Sequence, residues 1–518
     1  MDARYDMLET TAGTVRGRIS SDGVRTFLGV PYGASTANAG RFAAPRAVEP
    51  WGGVRDALDH GPSSWQMGPA DEAQARVRTD MLQVWGGINE PSMSEDCLVL
   101  NVWAPAEVRA PLPVLVYLHG GGHSVGSGSW PAYDGHRLAA RGDVVVVTVN
   151  HRLGVLAYCY LAELMGADFA TSGVNGILDI VESLRWVRDN IAGVDGDPGR
   201  VLVAGQSGGG GKVGALLAVP SAEGLFHTAC IMSAGNPTLQ SPADATQAAS
   251  RLLDHLGIAA RDAEQLLAVA PERLVEAQQA IGGPLGPFAP VLDGTWAVAQ
   301  PADAVASGRA PDVPILIGTT RDEQASFVAM MPIPDDADDA WVVERARLTL
   351  GDDAERVVAA YRAARPLASA RELHIALATD AGARMGSIRF AEAKAAAGGA
   401  PVWMYRFDWE TPAEGYAGTA PHGVDTTFFF DQLDAATVTA DGPHALAAHA
   451  SSALVSFAAT GSPEYDGGPA WPPYDLDRRA TMLFDTESRA VDDPDHDARE
   501  LLAPLSPVPA FSLFAQRR

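Results

Sequence analysis

The stretch Arg200-Val-Leu-Val-Ala-Gly205-Gln206-Ser207-Gly208-Gly209 decides the fold. It places the pattern Gly-x-Ser-x-Gly directly after a β-branched run and before a segment that can form a helix. A serine on such a sharp strand-to-helix turn is held in a strained conformation that only small neighbours permit, and its hydroxyl projects from the sheet. The stretch therefore predicts an α/β sheet and makes Ser207 a candidate nucleophile.

A phosphate-binding loop is the alternative for this glycine-rich turn, because Gly210-Gly211-Lys212 superficially resembles one. Such a loop requires glycine at the position of Gln206 and a serine or threonine at the position of Val213. Neither requirement is met, so the spacing argues against a nucleotide site.

Short β-branched runs recur along the chain, and helical stretches lie between several of them. Strands that alternate with helices predict crossover connections and a mostly parallel sheet covered on both faces. The clearest helix is 176–190, and nearby extended pieces before residue 104 predict antiparallel strands at the N-terminal edge. The predicted parallel strands are Val114–Leu118, Val144–Val149, Val201–Ala204, Ala229–Ser233, Ile315–Gly318 and Val402–Tyr405.

Two Ala-, Leu- and Arg-rich stretches, near 242–310 and 335–399, have helical periodicity and predict helical insertions that cap the sheet. No repeat and no long flexible linker interrupts the sequence. We therefore expect residues 1–518 to form one domain.

The charge balance opposes a nucleic-acid partner, because 64 acidic and 38 basic residues give a net charge of −26. A surface of this sign repels a phosphate backbone and an anionic membrane. No apolar run approaches the roughly 18 residues of a membrane span. A small molecule is the expected partner, and the sequence leaves the oligomeric state open.

Three cysteines, Cys97, Cys159 and Cys230, are too few and wrongly spaced for a disulfide framework or a metal site. The start of the chain has no basic and apolar leader pattern. The acidic run 335–339 lacks the glycine and glutamate of a calcium loop. These features predict a cytoplasmic protein without metal or cofactor.

A nucleophilic serine needs an oxyanion site, a base and an orienting acid, and the sequence offers candidates for each. His119-Gly120-Gly121-Gly122-His123 follows a predicted strand, and glycines are needed where backbone N–H groups approach an oxyanion. His422 lies in a loop after the strand at 402–405. Asp322 or Glu323, just past the strand at 315–318, would supply the acid, in the chain order serine, acid, histidine.

Together with further motifs in order, these residues resemble the type-B carboxylesterases, a family of the α/β-hydrolase superfamily that includes para-nitrobenzyl esterases and cholinesterases. The resemblance extends over nearly the whole chain and implies an α/β-hydrolase fold. Its other landmarks are Phe27–Tyr32, Arg41–Pro45, Glu95–Asn101, Val149–Gly154, Gly173–Asp179, Gly196–Pro198 and Trp471–Tyr474.

The resemblance implies a serine carboxylesterase that hydrolyses neutral esters through an acyl-enzyme, with water as the second substrate. The family's nucleophile, acid and base correspond to Ser207, Glu323 and His422. The oxyanion donors correspond to the N–H groups of Gly121, Gly122 and Gly208. An amidase or carbamate hydrolase that uses the same three residues is the alternative. A non-catalytic binding homologue is a second alternative, and the presence of all three catalytic residue types argues against it.

The sequence departs from the family pattern at the elbow, where Gln206 replaces a glutamate and Gly208 an alanine. Cys97 stands at a position that is disulfide-bonded in secreted relatives, but no upstream cysteine is present to pair with it. The candidates for lining the substrate pocket are His123, Trp85, Phe327 and Phe428. For each of them the alternative is a purely structural role in the core.

Overall fold

The computed structural model describes residues 4–68, 92–283, 286–328 and 333–508. Thirteen strands of these residues form one sheet. The strands are β1 (Arg4–Glu9), β2 (Thr14–Ile19), β3 (Val24–Pro31), β4 (Val54–Asp56), β5 (Val99–Pro105), β6 (Leu112–Leu118), β7 (Val145–Val149), β8 (Gly196–Gln206), β9 (Thr228–Met232), β10 (Ile315–Thr320), β11 (Val402–Phe407), β12 (Ala480–Phe484) and β13 (Arg489–Asp492).

The sheet order is β1-β2-β3-β5-β7-β6-β8-β9-β10-β11-β12-β13, with β4 beside β2. The strands from β7 to β12 pair in parallel, whereas β1, β2, β3 and β5 join this run through antiparallel pairs. The prediction of a mostly parallel sheet with an antiparallel N-terminal edge is therefore confirmed. At the other edge, β13 adds an antiparallel strand that was not predicted.

The central strands are apolar throughout because both faces of the sheet are covered. In β6, Val114, Val116 and Leu118 pack into one core cluster, and the alternate residues Leu115 and Tyr117 pack into the cluster on the other face. Successive side chains of a strand point to opposite faces, so an uninterrupted apolar run fits this arrangement.

Helices cover both faces, and the predicted helix at 176–190 is present as Asn175–Asn190. Its Ile177, Ile180 and Leu184 are buried on the core side. The α-helices are His136–Ala140, Gly154–Tyr158, Ala162–Met165, Asn175–Asn190, Gly208–Leu216, Pro242–Leu256, Pro271–Gly282, Pro301–Ala306, Ala325–Val328, Asp339–Leu350, Ala354–Ala364, Ala370–Thr379, Met385–Ala397, Val424–Phe429, His444–Thr460 and His496–Leu502.

The stretches near 242–310 and 335–399 are largely helical and lie between β9 and β10 and between β10 and β11. Cys97, Cys159 and Cys230 are buried, and none of them forms a disulfide. Among the described helices, none has the length and apolar character required to span a bilayer.

Candidate active site

Ser207 lies between the last residue of β8 and the helix Gly208–Leu216, which we call the elbow helix. Its backbone angles, φ 58° and ψ −124°, are rare for a residue with a side chain, and strain of this kind costs on the order of 1–3 kcal/mol. Two hydrogen bonds hold it, from Ser207 N to the oxygen of Met232 (2.8 Å) and from Gly211 N to the oxygen of Ser207 (2.9 Å). The fold therefore imposes an exceptional conformation on the candidate nucleophile.

The glycines around Ser207 are needed because backbone segments approach closely here. A Cβ on Gly205 would lie 2.5 Å from the carbonyl carbon of Gly209, and one on Gly209 would lie 2.0 Å from the oxygen of Leu118. Both contacts are shorter than a real Cβ atom allows. The Gly-x-Ser-x-Gly pattern is thus explained by packing at the end of β6 and β8.

The structure brings His422 and Glu323 together. His422 follows β11, Glu323 follows β10, and neither side chain is exposed. Nδ1 of His422 donates to Oε2 of Glu323, and Oε1 of Glu323 accepts from the N–H of Thr320 at 2.8 Å. This pair fixes the orientation of the imidazole and leaves its Nε2 pointing away from the carboxylate.

Asp322, the other acid candidate, does not contact the imidazole. Its Oδ2 accepts hydrogen bonds from the N–H of Ala420 and from Nε of Arg321, both at 2.9 Å. These contacts tie the loop that carries His422 to the end of β10. Asp322 therefore supports the loop, and Glu323 reaches the histidine.

Gln206 places His422 beside the elbow. The amide Nε2 of Gln206 is 3.2 Å from Nε2 of His422. An amide nitrogen can only donate, so this contact requires a lone pair on the histidine nitrogen. A histidine with its proton on Nδ1 offers that lone pair, and this is the form a general base needs.

The loop after β6 carries the glycine pair proposed from the sequence. Gly121 (φ 88°) and Gly122 (φ 62°) have left-handed backbone conformations. The oxygen of Gly121 accepts from the N–H groups of Ser124 and Val125, at 3.3 and 3.2 Å. Within the described ranges, no hydrogen bond joins the N–H groups of Gly121, Gly122 or Gly208 to another protein atom.

The predicted pocket residues occupy different surroundings. Phe327 lies 5.0 Å from His422 between ring centroids, and His123 packs edge-on against Tyr158 at 5.5 Å. Phe428 has no exposed surface and packs against Phe407 and Trp409 in the core, so the structure does not bring its ring to the elbow. Trp85 lies outside the described residues.

A small cavity borders the elbow. Its wall includes Gln206, Gly423 and Thr426, together with the glycines of the loop after β6. Trp130 and Tyr133 close its far side and stack on each other at 6.2 Å. Trp130 thus lies near the candidate site.

Asp425 is a third buried carboxyl near the site, and the sequence did not single it out. Burial, and next the charge of Glu323, raise its pKa to about 7. Its Oδ2 accepts a hydrogen bond of 2.8 Å from the hydroxyl of Tyr405. The one sequence signal for Asp425 is its position three residues after His422. Its burial cannot be seen in the local sequence, because it depends on distant strands.

Gln206 ends β8, Ser207 follows it, and Glu323 and His422 lie in the segments after β10 and β11, beyond the ends of parallel strands, which is where α/β folds place their sites. A mostly parallel sheet with a serine elbow, a histidine and a carboxylate at these strand ends has the α/β-hydrolase fold. A family model described as "Carboxylesterase family" matches residues 4–499. The chain belongs to the carboxylesterase family and is a carboxylic ester hydrolase.

Individual relatives agree with this assignment. The para-nitrobenzyl esterase of Bacillus subtilis is 34% identical over 512 residues, covering 96% of this chain and 99% of that protein. The phenmedipham hydrolase of Pseudarthrobacter oxydans is 33% identical over 520 residues, with coverage of 96% and 97%. The crystal structure of a Geobacillus stearothermophilus carboxylesterase superposes with a TM-score of 0.82 at 34% identity, covering 96% of this chain and 99% of that one.

Proposed function

We propose that this protein is a serine carboxylesterase that hydrolyses neutral carboxylic esters through an acyl-enzyme on Ser207. The observation that carries the proposal is the buried hydrogen bond between Glu323 and His422 beside the strained elbow. Nucleophile, base and acid come from three strand ends, in the roles that acyl transfer requires.

In the first half-reaction, Nε2 of His422 takes the hydroxyl proton of Ser207 as the serine oxygen attacks the ester carbonyl. The imidazolium that forms is stabilised by Glu323, and it then protonates the leaving alcohol. Water attacks the acyl-enzyme by the same route and releases the acid. The contact between Gln206 and His422 must give way to Ser207 during attack, because both donors need the same lone pair.

The N–H groups of Gly121, Gly122 and Gly208 would bind the oxyanion of each tetrahedral intermediate. Their lack of hydrogen-bond acceptors within the described ranges and the left-handed conformations of Gly121 and Gly122 support this role. Preorganised donors of this kind stabilise the transition state without reorganisation.

The substrate is a small-molecule ester whose acyl or alcohol part contacts His123, Phe327 and Trp130. Burial lowers the pKa of His123 to about 3, so its ring is neutral and offers an uncharged wall. No metal or cofactor takes part in the proposed chemistry. Three buried free cysteines support a reducing, cytoplasmic setting.

The test is the hydrolysis of para-nitrophenyl butyrate by wild type and Ser207→Ala, with para-nitrobutyranilide as the matched amide. We expect Ser207→Ala to lower kcat by roughly 10⁵-fold to 10⁶-fold at unchanged stability, because no other group provides the nucleophile. We also expect the ester to react faster than the amide. Wild-type rates in Ser207→Ala would contradict the proposal, and a faster amide would indicate an amidase.

A further inference from the structure

Lys212 is a buried cation that the proposed chemistry does not use. It lies on the elbow helix, its side chain has no exposed surface, and its Nζ donates to the oxygens of His119 (3.2 Å) and Gly122 (3.1 Å). Both oxygens belong to the loop that carries the N–H groups of Gly121 and Gly122. Among the described residues, no carboxylate pairs with this ammonium.

The backbone of this loop packs closely against the elbow helix. A Cβ on Gly208 would lie only 1.9 Å from the oxygen of Gly122, and one on Gly209 only 3.0 Å from the oxygen of His119. Nζ of Lys212 therefore donates hydrogen bonds to two carbonyls that lie against the glycines of the elbow helix.

In the part of the chain that the structure describes, the groups near Lys212 carry no compensating negative charge. Burial, and next the charge of the nearby Lys212, lower the pKa of His119, His123 and His151. On the neighbouring helix Asn175–Asn190, the buried Asp179 is paired with Arg152. Below about pH 7 the cluster thus contains one cation and three neutral imidazoles, next to the place where an oxyanion would form.

We propose that Lys212 is a positioning residue of the oxyanion loop. Its Nζ fixes the carbonyls of His119 and Gly122, which keeps the N–H groups of Gly121 and Gly122 aimed at the reacting oxygen. Its ammonium also places a positive charge behind those N–H groups, where low dielectric strengthens the attraction to a developing oxyanion. The inference rests on the proposed function.

Lys394 offers a matched control. It is buried on the helix Met385–Ala397, and its Nζ donates to the oxygens of Ala310 (3.2 Å) and Pro311 (3.1 Å). These two carbonyls precede β10, at the end of the sheet opposite to the elbow. The two lysines make the same kind of contact, but only Lys212 touches the oxyanion loop.

The first experiment compares kcat and KM for para-nitrophenyl butyrate in wild type, Lys212→Met and Lys394→Met, with thermal unfolding of each. We expect Lys212→Met to lower kcat by roughly 10-fold to 100-fold with little change in KM, below the loss on removing a direct oxyanion donor. Lys394→Met should lower only the unfolding temperature. The inference is overturned if Lys212→Met keeps the wild-type kcat, or loses no more of it than Lys394→Met.

The pH profile separates the charge from a purely structural contact. Burial lowers the pKa of Lys212 to about 7, so the ammonium is present below that pH and lost above it, while the neutral amine still donates to both carbonyls. We expect kcat/KM of wild type to fall above about pH 7, and this fall to be absent in Lys212→Met and in Lys212→Arg, which stays charged. An identical alkaline fall in wild type and Lys212→Arg would overturn the electrostatic role.

Folding failure and failure of the proposed function are both recognisable. If Lys212→Met does not fold, the profiles of wild type and Lys212→Arg decide the inference. If wild type and Ser207→Ala hydrolyse the ester equally, the proposed function fails. If Ser207→Ala is inactive but the lysine variants match wild type, only the role of Lys212 fails.

Discussion

Two buried clusters of charged residues differ in how completely their atoms are paired by hydrogen bonds and opposite charges. Between β7 and the helix Asn175–Asn190, Arg152 bonds Asp179 through Nη2 to Oδ1 (2.6 Å) and Nε to Oδ2 (2.9 Å). Nη1 of Arg152 donates to the oxygen of Ala43 at 2.7 Å, so each guanidinium nitrogen has a partner. Both residues belong to motifs that carry the family resemblance, yet the pair makes no contact with Ser207 or His422 among the described hydrogen bonds.

At the elbow, similarly buried groups lack a counter-charge or a full set of hydrogen-bond partners among the described residues. Lys212 has only carbonyl partners, and Oδ1 of Asp425 and Nδ1 of His123 have no hydrogen-bond partner in the described part of the chain. Incompletely matched buried groups shift the pKa values at a site and prepare it for charge that appears during reaction. We therefore expect Arg152 and Asp179 to maintain the fold and the elbow cluster to serve the proposed chemistry.

The largest effect that tests this contrast concerns Glu323. Glu323→Gln keeps the shape of the side chain but removes the charge that stabilises the imidazolium and selects its tautomer. We expect kcat to fall by roughly 10⁴-fold, as measured by para-nitrophenyl ester hydrolysis, with little loss of stability. Asp322→Asn is the control, because its carboxylate does not reach His422, and it should stay within about 10-fold of wild type. Equal losses in the two variants would contradict the assignment of the acid.

The next largest effect should be a loss of stability when the ion pair between Arg152 and Asp179 is broken. Asp179→Asn leaves the buried charge of Arg152 without its counter-charge, which costs about 3–5 kcal/mol in the free energy of unfolding. Chemical denaturation measures this loss, and kcat per folded molecule should change by less than about 2-fold. Asp492→Asn, in an exposed ion pair with Arg478, should cost at most about 1 kcal/mol. If Asp179→Asn stayed stable but lost much of its kcat, the assignment of this ion pair to fold stability would be wrong.

The smallest effect concerns Asp425 and depends on pH. Because burial raises its pKa to about 7, the native state holds this proton above the pH at which the unfolded chain releases it. Between about pH 4 and pH 7 the native state therefore binds more protons, so stability falls as pH rises, by on the order of 1.4 kcal/mol per pH unit at most.

Asp425→Asn cannot ionise and should lose less stability than wild type across that range. Denaturation of both proteins at about pH 5 and about pH 7.5 gives the difference. Parallel stability curves for the two proteins would show that Asp425 does not hold its proton in the native state.

Local sequence patterns predicted the parts of the fold that local physics determines. The β-branched runs ended at Leu118 and Val149, where β6 and β7 end, and the helix at 176–190 differs from the observed one by a single residue. The same patterns placed Ser207, then Asp322 or Glu323, then His422 after strands in that chain order, and only the family resemblance selected Glu323. Strand ends and apolar periodicity are visible in short windows, and parallel strands bring their ends together.

Features that depend on distant segments were not predictable from these windows. Phe428 was considered for the pocket but is in the core, because the helix Val424–Phe429 turns it towards Phe407 and Trp409. In the sequence, Lys212 matches only the lysine of a phosphate-binding loop, which the spacing of the glycines excludes. Its burial against the loop after β6, like that of Asp425, depends on how several strands pack.

The central claim is that Ser207 is the activated nucleophile, and covalent labelling tests it most directly. Wild type, Ser207→Ala and Glu323→Gln are treated with a fluorophosphonate, and the adduct is located by intact-mass and peptide mass spectrometry. We predict a single phosphonyl adduct on Ser207 in wild type, slower labelling in Glu323→Gln and none in Ser207→Ala. An unlabelled wild-type protein, or an adduct that persists on Ser207→Ala, would contradict the account.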